Sequence, residues 1–336
     1  MNSIRREYPH VLWYGCSQWN YDNDCEQRLL TDIADSNLTL DQFFDSNVIL
    51  SFLDEGHCPV TTQRFVDYLI KKHPKCVKVI YTPWVDVNDL HYEAACFPTI
   101  TSNHGAFFDN MQHSVPTQLD VNRKFLMLCR RPSISRAMIT SQIIRKVGLD
   151  NMYASFGSLT EFPAEIHDYR HLFDVELPLT LDGPITNANA NKIYNVSQEW
   201  YHCLFNIVLE SASDLDPSVW QSMYVTEKTW KAYAMYQVPV WWAVPGLVKH
   251  IRNLGFDMFD DLIDHSYDNI LDPGTRMTAV IAQVTNLAAT SLAQCKQLRL
   301  NLMPRLQDNY KRLVDIKNQA PVLLRQCVDQ FAKDTQ

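Results

Sequence analysis

The chain has 336 residues, of which 46% are apolar and 20% charged, an ordinary composition for a soluble globular protein of two average domains. Its net charge of −8 gives no general attraction to nucleic acid and slightly disfavours it. The nine cysteines are dispersed without a Cys-x-x-Cys pair, which argues against a disulfide framework and a zinc site and favours a reducing compartment.

The apolar segments of the chain are short. No apolar core of signal-peptide length follows Met1–Glu7, and no run approaches the length of a transmembrane helix. We therefore predict a cytoplasmic protein without a membrane partner. Basic residues are unevenly distributed: residues 123–146 hold seven of them and no acid, and residues 296–325 hold seven together with two acids.

The first third of the chain predicts a parallel sheet covered by helices. Strands are expected at Val11–Gly15, Ser46–Leu53, Val77–Tyr81 and Cys96–Ser102, and a helix at Gln63–Lys72. Strands that alternate with helices pair in parallel, and such sheets bind ligands at the carboxyl ends of their strands. Asp54, Glu55 and His57 follow the second strand and fall at such an end.

Residues 109–122 predict a connection to a second domain, in which the pattern of strands and helices starts again. Its predicted elements are a strand at Lys124–Cys129, a basic turn at Arg130–Ser133, a helix at Ser135–Val147, irregular loops at 160–200, a strand at Phe205–Glu210 and helices over 275–315. The first three of these form a β-α unit with cations at the end where ligands bind.

The segment Tyr224-Val225-Thr226-Glu227-Lys228 predicts a helix start that binds phosphate. The Thr226 hydroxyl can cap this helix by accepting a free backbone N–H. The helix dipole favours acids over cations in the first turn, so Lys228 in that turn indicates a bound anion. The elements expected next are a buried strand at Val238–Trp242, a turn at Pro245-Gly246, a helix ended by Gly255 and an acidic loop at 257–268.

These residues resemble a known family. Tyr-Val-Thr-Glu-Lys, followed by a helix, a Val-Pro-Val strand and Pro-Gly, is similar to the donor-binding core of the α1,3-fucosyltransferases. The longer run to Phe256 and Ser266-Tyr267-Asp268 resembles fucosyltransferase-related proteins of bacteriophages and other viruses. The similarity covers about residues 120–270. The family pattern often has Glu where this chain has His265.

The resemblance implies an α/β fold of the GT-B glycosyltransferase type, with two facing Rossmann-like domains and a helical C-terminus. The pattern of elements alone indicates two doubly wound domains. The implied division is an acceptor-side domain at 1–118, a nucleotide-sugar domain at 119–290 and C-terminal helices at 291–336 that pack back on the domains. A viral chain of this kind would act in the host cytoplasm.

The reaction implied by the resemblance is transfer of a sugar from a nucleotide-diphosphate donor, GDP- or UDP-linked, to an acceptor hydroxyl. We expect inversion at the transferred carbon and no metal or other cofactor. The pairs Asp22-Asn23-Asp24 and Asp214-Leu215-Asp216 have the Asp-x-Asp form, but the first is typical of a turn and the second lies in a loop, where a metal role is disfavoured.

The predicted donor site draws residues from several segments. Its members are Arg131, Arg136, Glu210, Tyr224, Thr226, Glu227, Lys228 and Tyr267. By resemblance, Tyr224, Glu227 and Lys228 contact the nucleotide sugar, and one of the two arginines completes the phosphate grip with its planar fork of donors. We expect Lys228 to be exposed in the empty site. Glu210, at a strand end, either lines the donor cleft or pairs with an arginine.

The acceptor hydroxyl needs a carboxylate as base within hydrogen-bond reach. By resemblance this base comes from a strand end of the N-terminal domain, where Asp54 and Glu55 lie. Glu93 is a rival, and a simple turn before Gly56 is an equal alternative for the acidic pair.

Two acceptor classes stay open, a glycan and a hydroxymethylated pyrimidine base in phage DNA. For DNA, the basic stretch at 296–325 would form the binding surface, although it is also typical of a solvated helix face. An interpretation of another class is a non-catalytic nucleotide- or glycan-binding protein on a degenerate transferase scaffold. Donor hydrolysis would distinguish the enzyme from the binding protein.

Overall fold

The computed structural model describes residues 11–15, 47–52, 71, 77–81, 84–85, 94–96, 120–129, 132–157, 168–180, 198–210, 222–223 and 225–333. The chain divides into two compact units. The first comprises residues 1–101, 216–224 and 315–336, and the second comprises residues 102–215 and 225–314. The predicted domain boundary near residue 118 lies outside the described residues.

The described part of the first unit contains a parallel sheet. Its strands are β1 (Val11–Gly15), β2 (Asn47–Phe52), β3 (Val77–Tyr81) and, after the short strand β4 (Trp84–Val85), β5 (Ala94–Cys96). They lie in the order β1-β2-β3-β5, and every neighbouring pair is parallel. Strand β4 pairs antiparallel with β10 (Ser222–Met223). The first three strands confirm the predicted parallel pairing, whereas the predicted helix at Gln63–Lys72 lies, except for residue 71, outside the described residues.

The fourth strand differs from its prediction. The sequence predicts Cys96–Ser102, whereas the described strand β5 runs from Ala94 and meets that segment at Cys96. Ala94 and Ala95 pair with Val79 and Ile80 of β3. Alanine has weak strand propensity, so pairing with β3, and not local preference, selects these residues.

A five-stranded mixed sheet forms the core of the second unit. Its strands are β6 (Arg123–Cys129), β7 (Met152–Phe156), β8 (Leu179–Thr180), β9 (Cys203–Leu209) and β11 (Val238–Trp242). They lie in the order β11-β9-β6-β7-β8, with β8 antiparallel to β7 and the other pairs parallel. The chain builds outward from β6 on one side and then returns to add β9 and β11 on the other. The boundary between β6 and β9 is therefore a topological switch point, where open α/β sheets bind ligands.

Helices cover both faces of this sheet. The described helices are α1 (Ile134–Val147), α2 (Glu227–Ala234), α3 (Leu247–Asn253), α4 (Pro273–Ala288) and α5 (Leu292–Lys333). Successive strand residues point to opposite faces. Trp241 Nε1 donates to Thr229 Oγ1 of α2 (3.1 Å), whereas the Arg276 guanidinium of α4 lies over the Trp242 ring, 5.2 Å from its centroid. Helix α1 contacts α4, so α1 and α4 cover one face and α2 the other.

Local sequence explains where the helices start and end. Ser133, Thr226 and Asp272 cap α1, α2 and α4 through side-chain oxygens that accept backbone N–H groups. Gly148 and Gly255 follow α1 and α3 at φ angles of 80° and 89°, a conformation that glycine adopts without steric cost. The start at Thr226 and the stops at Gly148 and Gly255 confirm the predictions, whereas α1 and α4 start one and two residues earlier than predicted.

The predicted helical region 275–315 is two helices, because a capping box interrupts it. The Ser291 hydroxyl accepts the Gln294 N–H (3.2 Å), and the Gln294 side-chain oxygen accepts the Ser291 N–H (2.8 Å). Helix α5 starts from this exchange. In the part of the chain that the structure describes, no helix is both long and apolar enough to cross a membrane.

The predicted irregular region 160–200 contains short regular pieces. Two 3₁₀ helices, Asp168–Leu172 and Gln198–His202, flank β8 along the chain. Residues 160–167 and 181–197 of that prediction lie outside the described part.

Candidate functional site

Two helices start at the switch point. Strand β6 ends at Cys129, and α1 begins at Ile134 after a turn in which Arg130 and Arg131 are outside the described residues. The Ser133 hydroxyl accepts the Arg136 N–H (3.4 Å), so Arg136 lies in the first turn of α1. On the other side of the switch point, β9 ends at Leu209 and is followed by Glu210.

Arg136 connects the two strands of the switch point. The residue is 7% exposed, and its Nε donates to the carbonyl oxygen of Glu210 (3.3 Å). A guanidinium of the β6-α1 unit is thus fixed against the end of β9. Because guanidinium N–H groups form a planar fork that matches phosphate oxygens, Arg136 is the described arginine best placed to bind a phosphate here.

The Glu210 side chain is fully buried and joins β9 to the start of α2. Its Oε1 accepts the Thr226 N–H (3.2 Å) and the Thr229 hydroxyl (2.6 Å), and its Oε2 accepts the Thr226 hydroxyl (2.6 Å). These bonds satisfy the buried carboxylate. They also bring the N-terminus of α2 to the carboxyl end of β9.

Helix α2 starts as predicted. Thr226 is the N-cap and its hydroxyl accepts the Lys228 N–H (3.3 Å), while Glu227 occupies the first turn, where the helix dipole favours an acid. The Lys228 Nζ donates to Thr226 Oγ1 (3.2 Å) and lies 3.3 Å from Glu227 Oε1. With 22% of its side chain exposed, Lys228 is half-buried. The expectation of an exposed Lys228 is therefore wrong, because the ammonium group folds back onto acceptors at the helix start.

The charges of Arg136 and Lys228 both act at the end of β6. Burial raises the pKa of the Cys129 thiol, and the charges of Arg136 and Lys228 oppose that rise. Arg136 is bonded to the Glu210 carbonyl, and Lys228 to the Thr226 hydroxyl that bonds to the Glu210 carboxylate, so both cations lie at the switch point. Two cations and a helix N-terminus meet at the switch point, an arrangement suited to an anion.

The structure brings part of the predicted donor site together. The predicted residues that share the switch point are Arg136, Glu210, Thr226, Glu227 and Lys228. Arg131 and Tyr224 lie outside the described residues, as do the predicted bases Asp54 and Glu55 and their rival Glu93.

Tyr267 does not join this site. It is 2% exposed, and its hydroxyl accepts the Trp241 N–H of β11 (3.4 Å) and lies 2.9 Å from His265 Nδ1. Burial raises the pKa of Tyr267 and lowers the pKa of His265. Strand β9 lies between β11 and the switch point. Tyr267, which is bonded to β11, therefore packs at the edge strand of the sheet and away from the switch point.

The neighbours of Tyr267 cap helices. The two carboxylate oxygens of Asp268 accept the N–H groups of Val248 and Lys249 at the start of α3, each at 3.0 Å. Asp264 accepts both the N–H and the hydroxyl of Ser266 (2.9 and 3.0 Å). The run Ser266-Tyr267-Asp268 therefore holds α3 and β11 in place.

Two pockets of the described chain lie away from the switch point. One, of about 280 Å³, is lined by polar side chains of α3 and the loop after it, among them Lys249, Arg252 and Ser266. The other, of about 380 Å³, lies between α1 and residues 173–175, which follow the 3₁₀ helix Asp168–Leu172, and includes Ile144 and Phe173. Neither contains a residue of the switch-point site. Within the described ranges, no group of three or more His, Cys, Asp or Glu side chains is placed to hold a metal ion.

Thr229 is a member of the site that the sequence analysis missed. Its hydroxyl donates to Glu210 Oε1 and accepts from Trp241 Nε1 of β11. A signal was present, since Thr229 stands three residues after the N-cap, where a capping box has Glu or Gln. Here the carboxylate that accepts the N-cap N–H comes instead from Glu210 on the neighbouring strand.

Comparison of the chain with protein-family models, with curated proteins and with solved structures found no match.

Proposed function

We propose that the chain is a glycosyltransferase that binds a nucleotide-diphosphate sugar at the β6/β9 switch point and transfers the sugar to an acceptor hydroxyl. The observation behind this proposal is the convergence of Arg136, Lys228 and the N-terminus of α2. Such fixed donors bind a diphosphate and stabilise the charge that develops on it as the leaving group departs. The resemblance of the same segment to fucosyltransferases favours a sugar donor over other phosphorylated ligands.

In the proposed reaction, the acceptor oxygen forms a bond to the anomeric carbon while the bond from that carbon to the β-phosphate oxygen breaks. The nucleoside diphosphate leaves with the electron pair, and the acceptor proton passes to a carboxylate. Asp54 or Glu55 stays our prediction for this base, with Glu93 as the alternative. Attack opposite the leaving group inverts the configuration. Arg136, Lys228 and the α2 N–H groups stabilise the negative charge on the leaving diphosphate without a metal.

Glu227 is assigned to a hydroxyl of the donor. It stands in the first turn of α2 beside Lys228, with 13% of its side chain exposed. A carboxylate accepts hydrogen bonds from ribose or sugar hydroxyls while its neighbour binds phosphate. The GT-B arrangement belongs to the same proposal, and it is supported by the presence of parallel strands in each of the two units.

A glycan acceptor is favoured over phage DNA by the partners of the basic stretch. In its described part, cations that would meet DNA are already bonded within the chain. The pairs are Lys296 with Asp120, Arg299 with the Cys203 carbonyl, Arg305 with Asp257 and Asp261, Lys311 with Asp308 and Arg312 with the Leu254 carbonyl. Arg299 is buried and cannot reach a DNA phosphate, and each of the other pairs would have to open before its cation could neutralise one.

A thermal-shift screen against UDP, GDP, CDP and TDP, with and without Mg²⁺, tests the proposal. A ligand that binds the folded state raises the midpoint of unfolding. We expect one nucleoside diphosphate to raise the midpoint without Mg²⁺ and the corresponding nucleotide sugar to release that diphosphate on incubation. Binding without turnover, on glycan or on hydroxymethylated DNA, would favour the non-catalytic binding protein. The absence of any shift would contradict the assignment of the switch point.

Lys228→Ala is the first variant to test. We expect it to abolish the midpoint shift by the nucleoside diphosphate and to change stability little, since the side chain is half-buried and its ion pair with Glu227 lies at a helix start. Lys311→Ala is the matched control, because it also removes one lysine and one ion pair but on the exposed face of α5. Unchanged nucleotide affinity in Lys228→Ala would contradict the donor-site assignment.

A further inference from the structure

We infer that Glu210 is a positioning residue: its buried carboxylate orients the Thr226 hydroxyl, and that hydroxyl holds the Lys228 ammonium group at the anion site. The inference rests on the proposed function, in which Lys228 binds phosphate. The inference gives Glu210 a role different from that of the residues that contact the donor.

The direction of the hydrogen bonds follows from donor chemistry. An ionised carboxylate accepts and cannot donate, so the Thr226 hydroxyl, 2.6 Å from Glu210 Oε2, gives its proton to the carboxylate. A hydroxyl has one proton and two lone pairs. Both lone pairs therefore remain for other donors, and they accept the Lys228 N–H (3.3 Å) and the Lys228 Nζ (3.2 Å).

The carboxylate itself is held by three elements of the unit. It follows β9, and its Oε1 accepts the Thr226 N–H and the Thr229 hydroxyl of the α2 start. The Thr229 oxygen in turn accepts the Trp241 Nε1–H of β11 (3.1 Å). With Glu210, Thr226 and Thr229 all fully buried, this group of residues, here called the Glu210 cluster, has a fixed geometry.

Lys228 needs such a fixed acceptor because its side chain is flexible. A lysine has a four-carbon stem and a compact charge, and it loses much rotamer freedom when it binds a phosphate. The Thr226 hydroxyl holds the ammonium group before the ligand arrives, so part of that loss has already occurred. Without this acceptor, the ammonium would keep its contact with the partly exposed Glu227 carboxylate, 3.3 Å away.

Glu210→Gln tests this relay because it keeps the size of the side chain. The amide NH₂ cannot occupy the Oε1 side, where the Thr226 N–H is a donor. It therefore occupies the Oε2 side and donates to Thr226 Oγ1, which takes one of the two lone pairs that Lys228 uses. We expect the Lys228 ammonium to lose its place on the hydroxyl while the fold is kept.

The first experiment measures the Kd of GDP and GMP, and of UDP and UMP, for the wild-type protein and for Glu210→Gln, Thr226→Ser and Thr285→Val. We expect Glu210→Gln to raise the Kd of the diphosphate about tenfold and that of the monophosphate much less, because Lys228 acts on the second phosphate. Thr226→Ser keeps the hydroxyl and should resemble the wild type. Thr285→Val is the control, since it removes a threonine hydroxyl that donates to the Ile281 carbonyl in α4.

The ratio of the two Kd values distinguishes positioning from a structural role. A loss of folded protein raises both constants by the same factor, whereas a misplaced Lys228 raises the diphosphate constant much more than the monophosphate constant. A Glu210→Gln protein with the wild-type ratio would overturn the inference.

A second readout needs no ligand, so it stays informative if the wild-type protein binds neither nucleotide and the proposed function fails. NMR detects the Nζ–H groups of a lysine when a hydrogen bond protects them from exchange, and Lys228→Arg assigns the signal. We expect this signal in the wild type and in Thr226→Ser. In Glu210→Gln and Thr226→Val, where the ammonium keeps its contact with the partly exposed Glu227 carboxylate, we expect the signal to shift and its Nζ–H groups to exchange faster. A Lys228 signal with the wild-type shift and exchange rate in Glu210→Gln would overturn the inference.

Discussion

Glu210 and Asp268 show how a single carboxylate sets the start of a helix from a distance in sequence. Glu210 holds Thr226 of α2, sixteen residues later, and Asp268 holds Val248 and Lys249 of α3, twenty and nineteen residues earlier. Both side chains are buried and accept backbone N–H groups that the helix itself leaves unpaired.

Arg136→Lys should weaken binding of the nucleoside diphosphate about tenfold, since a lysine keeps the charge but loses the planar fork of donors. It should also lower stability by about 1 to 3 kcal/mol, because the Glu210 carbonyl loses its buried partner. Isothermal titration and urea unfolding measure the two effects. Arg145→Lys, on the same helix but exposed and paired with Asp174, is the matched control. Equal affinities of the two variants would contradict the role of Arg136.

His250 predicts a pH dependence of stability. Burial lowers its pKa from 6.5 to about 4 in the folded protein. Between these values the unfolded chain binds a proton that the folded protein does not, so the free energy of unfolding falls as the pH drops. The fall is on the order of 3 kcal/mol and is complete below about pH 4.

His250→Gln should flatten the pH dependence of urea unfolding between about pH 6.5 and 4, because it removes the titrating group. A smaller dependence should remain, since burial also lowers the pKa of His265 and acts in the same direction. If the variant loses stability over this range as steeply as the wild type, His250 is not the source of the effect.

At the scale of secondary-structure elements, Asp268→Ala should destabilise α3 without weakening nucleotide binding. It removes a buried carboxylate that accepts two N–H groups of the helix start, which costs about 1 to 3 kcal/mol. Urea unfolding measures the free energy of unfolding, and titration with the nucleoside diphosphate measures its affinity. Asp264→Ala, an exposed acid of the same loop, should cost less than about 1 kcal/mol. A selective loss of affinity in Asp268→Ala would instead place the donor near α3.

The elements that the sequence predicts best are those with strong local signals. Strand β9 is apolar except for Asn206, and α1 has Ser133 before it and Gly148 after it. Strand β7 was missed because Met152–Phe156 lacks β-branched residues and its place depends on pairing with β6. Strands β4 and β10 are two residues each and exist through a single pairing between distant segments.

The site was predicted only in part, because only some of its residues are close together in sequence. Thr226, Glu227 and Lys228 are adjacent in sequence, so helix physics alone predicts a cap and a first turn. The bond from Arg136 to Glu210 joins residues 74 apart, and Thr229 matters because it meets both Glu210 and Trp241. Contacts of this kind depend on the order of strands in the sheet, which no local pattern contains.

At the scale of the whole molecule, the order β11-β9-β6-β7-β8 is what gives the second unit a binding edge. Arg299 fixes part of this arrangement. It is 1% exposed, and it donates to the carbonyl oxygens of Cys203 at the start of β9 and Met235 after α2 (2.6 and 3.4 Å). Burial lowers the pKa of Arg299 to about 10. This cation of the basic stretch therefore serves the fold of the sheet.

The basic stretch should accordingly give no salt-sensitive retention of duplex DNA, because Lys296, Arg305 and Lys311 have acidic partners within the chain and Arg299 is buried. Binding to immobilised duplexes with and without hydroxymethylated pyrimidines, over a series of salt concentrations, measures this. Retention that falls steeply as the salt concentration rises would make DNA a candidate acceptor again.

NMR mapping of a nucleoside diphosphate titration is the most direct test of the central claim, that the switch point binds the donor. The ligand is the diphosphate selected by the thermal-shift screen. We predict that backbone signals of Ser133–Arg136 and Val225–Thr229 shift with saturation and that Lys228→Ala suppresses these shifts. Saturable shifts confined to residues 248–269, around the polar pocket beside α3, would contradict the claim and place the ligand in that pocket.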